Sequence, residues 1–193
     1  MKLSSLFSVI LGIAMLTFVM GSCSKSSSTP PATTQPTLYD SLGGTTLVSD
    51  PATSGATIEK GRLLVRNIID STIFVIAADT IINHYFATLL AEVGAGNLSG
   101  FEALSKNLTD FVCVGTGAKD FTYTGLSMTV AHNPGTSPTG NPRINEKVDN
   151  SDFTQFEVDL FAGANKAGVP STTPALISVG NIVESLRTTV VQR

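Results

Sequence analysis

The stretch "YTGLSMTVAH", residues 123–132, decides how the rest of the sequence is interpreted. It ends on His132, one of two histidines in the chain; the other is His84. An imidazole titrates close to neutral pH and is the commonest metal ligand among side chains. Two roles are therefore open for His132: a ligand to a bound group, or a surface or capping residue at the end of an apolar segment.

The segments around this stretch carry apolar side chains at the spacing of helices. Steps of three and four residues recur over residues 98–112, 153–164 and 175–190, which is the pattern of an amphipathic helix. Residues 58–77 are rich in β-branched side chains, but the length of this segment favours a helix. No segment alternates with a period of two between turn residues. The sequence therefore predicts an all-α domain.

Two segments lack this periodicity. Residues 43–57 and 133–151 are rich in glycine, proline and small polar residues, which favour turns and loops. We predict two irregular insertions, the second of which follows His132 directly. Irregular loops longer than about 12–15 residues are uncommon in compact domains and tend to be functional or mobile.

The first residues have the composition of an export signal. Residues 1–22 contain one lysine and an apolar run shorter than the roughly 20 residues of a membrane-spanning helix. Their end, "MGSC", resembles a bacterial lipobox, which implies a lipoprotein signal peptide and a lipid on Cys23. The alternative is a plain secretory signal with an incidental cysteine. Residues 23–37 are rich in Ser, Thr and Pro and predict a flexible linker, so the predicted domain covers residues 38–193.

Composition narrows the classes of function. The formal net charge is −3 and no basic cluster occurs, so nucleic acid is not an expected partner. Charged residues make up 14% of the chain, against about 25% in typical domains. The domain therefore has much apolar surface to bury or an apolar ligand to hold. No hydrolase, zinc-protease or phosphate-loop motif is present, and nothing in the sequence supports enzymatic turnover.

Five segments occur in an order that resembles the group 1 truncated haemoglobins. They are "LYDSLGG" (38–44), "ADTIINHYF" (78–86), "FVCVGTG" (111–117), "YTGLSMTVAH" (123–132) and "AGVP" (167–170). The resemblance implies a truncated globin fold, which is a two-over-two helical sandwich, here carrying the two insertions. It also implies haem b as the cofactor, with its iron held by one proximal histidine.

The resemblance assigns the proximal side of the haem. Tyr123, Thr124, Gly125, Met128 and His132 match the family's histidine motif. His132 is the implied iron ligand, and Met128 is expected to pack on the proximal side. Phe86 matches the aromatic that wedges the haem. For His84 we expect an exposed or core position, with a second axial ligand as the alternative. Ligation requires a neutral His132 whose other ring nitrogen donates to a backbone carbonyl.

The distal side departs from the family pattern. Ile73 falls where the family commonly has a tyrosine that hydrogen-bonds dioxygen. Leu104 and Leu108, four residues apart, fall on the distal helix and share a face. These three side chains predict an apolar distal pocket without an obvious hydrogen-bond donor to bound oxygen. This argues against chemistry such as nitric oxide dioxygenation.

The implied function is reversible binding of a diatomic ligand such as oxygen by a haem protein. Two alternatives stay open: a surface haem carrier or scavenger, and a haem-free globin-like interaction domain. A lipid on Cys23 would anchor the protein to a bacterial membrane in the cell envelope, on the periplasmic or the cell-surface side. The physiological ligand and the redox partner are not specified by any motif.

Replacing Cys23 by alanine tests the anchor. Stable membrane attachment requires more than one acyl chain, and a diacylated or triacylated cysteine meets that requirement. We therefore expect the Cys23→Ala protein to be lost from the membrane fraction. Fractionation followed by immunoblotting measures this. Unchanged membrane association with a fully cleaved signal would contradict the lipoprotein interpretation.

Overall fold

The structure, a computed structural model, describes residues 35–193 and is mostly helical, with one small sheet. The signal peptide, Cys23 and the linker as far as residue 34 lie outside the described residues. The helices are α1 (Leu38–Ser41), α2 (Lys60–Ala78), α3 (Ala87–Gly94), α4 (Ser99–Gly115), α5 (Met128–Ala131), α6 (Asn150–Lys166), α7 (Pro174–Glu184) and α8 (Arg187–Val190). The strands are β1 (Leu47–Ser49) and β2 (Thr57–Glu59), and a 3-10 helix covers Asn83–Phe86.

Helices α2 and α6 form the most extensive contact between elements, and α4 also packs on α2. The two helix backbones come close together where Gly163 of α6 meets Thr72 of α2. A Cβ added at Gly163 would lie 2.6 Å from the Cα and from the backbone nitrogen of Thr72. Only glycine allows this approach. The crossing fixes which residues of α2 face the interior.

The expectation of an irregular insertion over 43–57 is wrong. Strand β1 pairs antiparallel with β2, with Val48 opposite Ile58, and a salt bridge of 2.7 Å between Asp50 and Arg66 holds the turn against α2. The helix predicted from residue 58 begins at Lys60. Three-residue strands are too short to show an alternating pattern, which is why the sequence did not reveal them.

The predicted helix over 175–190 is divided in two. Helix α7 ends at Glu184 and α8 begins at Arg187. The Ser185 hydroxyl donates to the Ile182 carbonyl at 2.6 Å, a side-chain bond that competes with helical pairing. Apolar periodicity does not record this local competition, so the break was not predicted.

Within residues 35–193, no single helix is long and apolar enough to cross a membrane. The consecutive helical segments Lys60–Ala78 and Asn83–Gly94 meet the criterion only as a pair, with a bend of 108° between them.

Gly163→Ala tests the helix crossing. The added methyl would overlap the Thr72 backbone, so we expect the free energy of unfolding to fall by about 1–3 kcal/mol, as for other overpacked interiors. Urea denaturation followed by circular dichroism measures this. The matched control is Gly94→Ala on α3, where an added Cβ meets nothing within 4 Å. Equal stabilities of the two variants would contradict a close crossing at Gly163.

Candidate functional site

A predominantly apolar cavity of about 320 Å³ lies between α2, α4, α6 and the segment that follows α5. Its volume falls in the range of about 300–1,000 Å³ that is usual for pockets burying small-molecule ligands. All six residues that the sequence placed around a cofactor lie on its wall. They are Ile73, Phe86, Leu104, Leu108, Met128 and His132.

The turn before α5 depends on Gly125. The Tyr123 hydroxyl donates to the Leu126 carbonyl at 2.6 Å, so the phenol ring folds back over the intervening backbone. A Cβ at Gly125 would lie 2.5 Å from the Tyr123 hydroxyl oxygen. Ser127 then caps α5, its hydroxyl accepting from the Val130 amide at 3.4 Å. The YTG part of the motif therefore forms the compact turn that leads into the histidine segment.

Helix α5 is a single turn, and His132 is its C-terminal cap. The Met128 carbonyl accepts from the His132 backbone amide at 3.2 Å and contacts the imidazole Nδ1 at 2.8 Å. A carbonyl can only accept, so Nδ1 carries the proton in this contact. In the neutral ring Nε2 then has a free lone pair. The ring is thus held in the tautomer that a metal ligand requires.

Burial lowers the pKa of His132 below its usual value, while the hydrogen bond to Met128 partly opposes this shift. Desolvation disfavours the charged imidazolium. His132 is therefore neutral at physiological pH. Neutrality is the second requirement for binding a metal ion through Nε2.

The cavity residues fall into two apolar clusters. Phe86 and Met128 pack with the buried side chains of Tyr85 and Phe153. Ile73, Leu104 and Leu108 pack in a separate cluster around buried residues of α2, among them Val65 and Ile69. Phe86 and Met128, predicted for the proximal side, thus pack in a different cluster from Ile73, Leu104 and Leu108, although the two sets alternate along the chain.

Thr72 and Asn107 are among the polar side chains on the wall that the sequence analysis did not name. Thr72 donates its hydroxyl to the Ile68 carbonyl at 2.8 Å. Asn107 lies on the cavity wall beside Leu108, and its amide has no hydrogen-bond partner among residues 35–193. Asn107 is half-buried beside Leu108 and belongs to no motif, so its place on the wall could not be predicted from the sequence.

The segment after His132 forms one wall of the cavity. Asn141, Arg143, Ile144 and Val148 line the space, and Asn141 donates its side-chain amide to the Ala131 carbonyl at 2.9 Å. This segment has no helix before Asn150, as the sequence predicted. It nonetheless closes over the end of α5, which the sequence did not indicate.

A polar network lies beside the cavity. The Tyr85 hydroxyl donates to Asp152 at 2.5 Å, and Arg193 contacts that hydroxyl at 3.0 Å and the carboxylate at 3.3 Å. Glu146 accepts from Arg193 at 2.8 Å and lies 3.1 Å from the His84 Nε2. His84 is 44% exposed and does not lie on the cavity wall. Its Nε2 is engaged by Glu146 outside the cavity.

Among the described residues, no three side chains of His, Cys, Asp and Glu are grouped to hold a bare metal ion. No model of a known protein family matches the chain, and no curated protein matches it significantly. Function is therefore inferred from the residues of the site itself.

Proposed function

We propose that residues 38–193 form a truncated-globin domain that binds haem b and reversibly binds a diatomic ligand such as oxygen. In this proposal α2 and α4 form one layer of the two-over-two sandwich, and α6 with α7 and α8 forms the other. The contacts of α2 with α4 and α6, and of α6 with α7, support that arrangement.

The observation that carries the proposal is the state of His132. Its Nδ1 is engaged by the Met128 carbonyl at 2.8 Å, and burial favours the neutral ring. The free Nε2 belongs to a residue on the wall of a large apolar cavity. One neutral imidazole beside an apolar space is enough to hold haem, because the porphyrin nitrogens would supply the other iron ligands.

The residues present fit this group. Phe86 and Met128 would flank the proximal face, and Ile73, Leu104 and Leu108 would form an apolar distal wall. When bound, haem supplies an iron with a position for a diatomic ligand. The chain's own contribution is to orient His132, to hold the ring neutral and to exclude water with apolar side chains.

A surface haem carrier is the second candidate function. The side chains of Ile73, Leu104 and Leu108 offer no hydrogen-bond donor to a ligand on the distal side. Such a site can retain haem without stabilising bound oxygen. A lipid-anchored position in the cell envelope, which we propose from Cys23, suits either function. Transfer of haem to an apoprotein acceptor would distinguish a carrier from an oxygen-binding protein.

His132→Ala tests the ligand. We expect this variant to lose stable haem incorporation, because no other histidine lies on the cavity wall of the described chain. The purified protein is titrated with haemin, and the Soret band and bound haem are measured. The matched control is His84→Ala, which we expect to bind haem nearly as the parent protein does. Equal haem content in the two variants would reject His132 as the ligand.

Ile73→Tyr tests the distal wall. A typical hydrogen bond contributes about 0.5–1.5 kcal/mol, and about 1.4 kcal/mol is tenfold in affinity. We therefore expect the new hydroxyl to slow oxygen release from the haem-loaded protein several-fold, with a much smaller effect on carbon monoxide. Stopped-flow dissociation rates measure both. The matched control is Ile73→Phe, which adds the ring without the donor. Slow oxygen release in the parent protein would refute this prediction and would point to another donor on the wall, such as the Asn107 amide beside Leu108.

A further inference from the structure

The cavity wall carries a single cation within residues 35–193. Among its charged lining residues are only Arg143 and Asp152. The Asp152 carboxylate is already occupied by the Tyr85 hydroxyl, by Arg193 and by the Asp149 backbone amide. Arg143 therefore remains the charged group on the wall that can meet an anionic part of a ligand.

Arg143 is placed at the edge of the cavity. Its side chain is 47% exposed although the residue lines the apolar space. The neighbouring Asn141 fixes the local backbone, because its side-chain oxygen accepts from the Arg143 amide at 3.0 Å. A cation at the mouth of an apolar cavity is suited to an amphipathic ligand with an apolar body and an acidic end.

The present partner of Arg143 is Glu92 on α3, and their contact is incomplete. Both Nε and Nη2 of Arg143 donate to the same oxygen, Oε1 of Glu92, at 3.3 and 3.1 Å. The other oxygen, Oε2, is buried and has no hydrogen-bond partner among the described residues. A guanidinium binds a carboxylate best when two donors meet two oxygens. A buried oxygen without a partner also costs free energy.

We propose that Arg143 binds a carboxylate of the ligand at the mouth of the cavity and exchanges Glu92 for it. The inference rests on the proposed function, since the haem propionates are the carboxylates concerned. The ligand carboxylate can offer both oxygens to the guanidinium, which Glu92 does not. Glu92 is then a competitor for Arg143 and a like charge beside the incoming group.

The test compares haemin with haemin dimethyl ester, which lacks the two free carboxylates. Dissociation constants are measured for the parent protein and for Arg143→Gln and Glu92→Gln. We expect the parent to prefer haemin by about two- to fivefold, the range of a partly exposed charge pair. Arg143→Gln loses this preference. Glu92→Gln increases it, because the competing carboxylate is gone.

The matched control is Arg66→Gln. Arg66 pairs with Asp50 at 2.7 Å and does not line the cavity, so this variant keeps the parent's preference. Retention of the preference in Arg143→Gln, or a reduced preference in Glu92→Gln, would overturn the inference. A gain in Glu92→Gln cannot arise from misfolding.

Metal-free protoporphyrin IX and its dimethyl ester separate this inference from the proposed function. They contain no iron, so their binding does not depend on His132. The same order of preferences is expected with them. If haemin binding is indifferent to His132→Ala while the porphyrin preference depends on Arg143, the proposed ligand is wrong and the carboxylate site stands. If haemin requires His132 but no preference depends on Arg143, only the carboxylate site is wrong.

Discussion

The close approach of α2 and α6 at Gly163 and Thr72 constrains the rest of the domain. Because a Cβ at Gly163 would lie 2.6 Å from the Thr72 backbone, the two helices pack without an intervening side chain. Next to this contact, Ile73 faces the cavity and is 8% exposed. The apolar cavity therefore begins beside a point of close backbone contact, since Thr72 and Ile73 both line it.

The helices could be predicted because their information is local. Apolar spacing indicated α4 and α6 to within a few residues, since each buries one face along its whole length. The hairpin of β1 and β2 could not be predicted, because its stability derives from pairing across a turn and from the Asp50–Arg66 contact with α2. The break at Ser185 was also invisible, since a single side-chain hydrogen bond causes it.

In the candidate site, too, some residues could be predicted from the sequence and others could not. The sequence predicted that a backbone carbonyl would accept from the second ring nitrogen of His132, and the structure identifies it as the Met128 carbonyl at 2.8 Å. Arg143 could not be placed, because its position on the wall follows from the path of an irregular segment and from a contact with Glu92 on α3. Asn107 could not be predicted either, because helical spacing does not show whether a polar residue near Leu104 and Leu108 faces the cavity.

The segment that carries His132 is stabilised mainly by tertiary contacts. A single-turn helix has little stability of its own, because nucleation is unfavourable and few internal hydrogen bonds form. Two side-chain amides from distant parts of the chain satisfy its free carbonyls: Asn141 donates to Ala131 at 2.9 Å, and Gln192 donates to Thr129 at 3.0 Å. The orientation of the imidazole therefore depends on the insertion and on the C-terminal residues together. Since the insertion also carries Arg143, it connects the histidine segment to the mouth of the cavity.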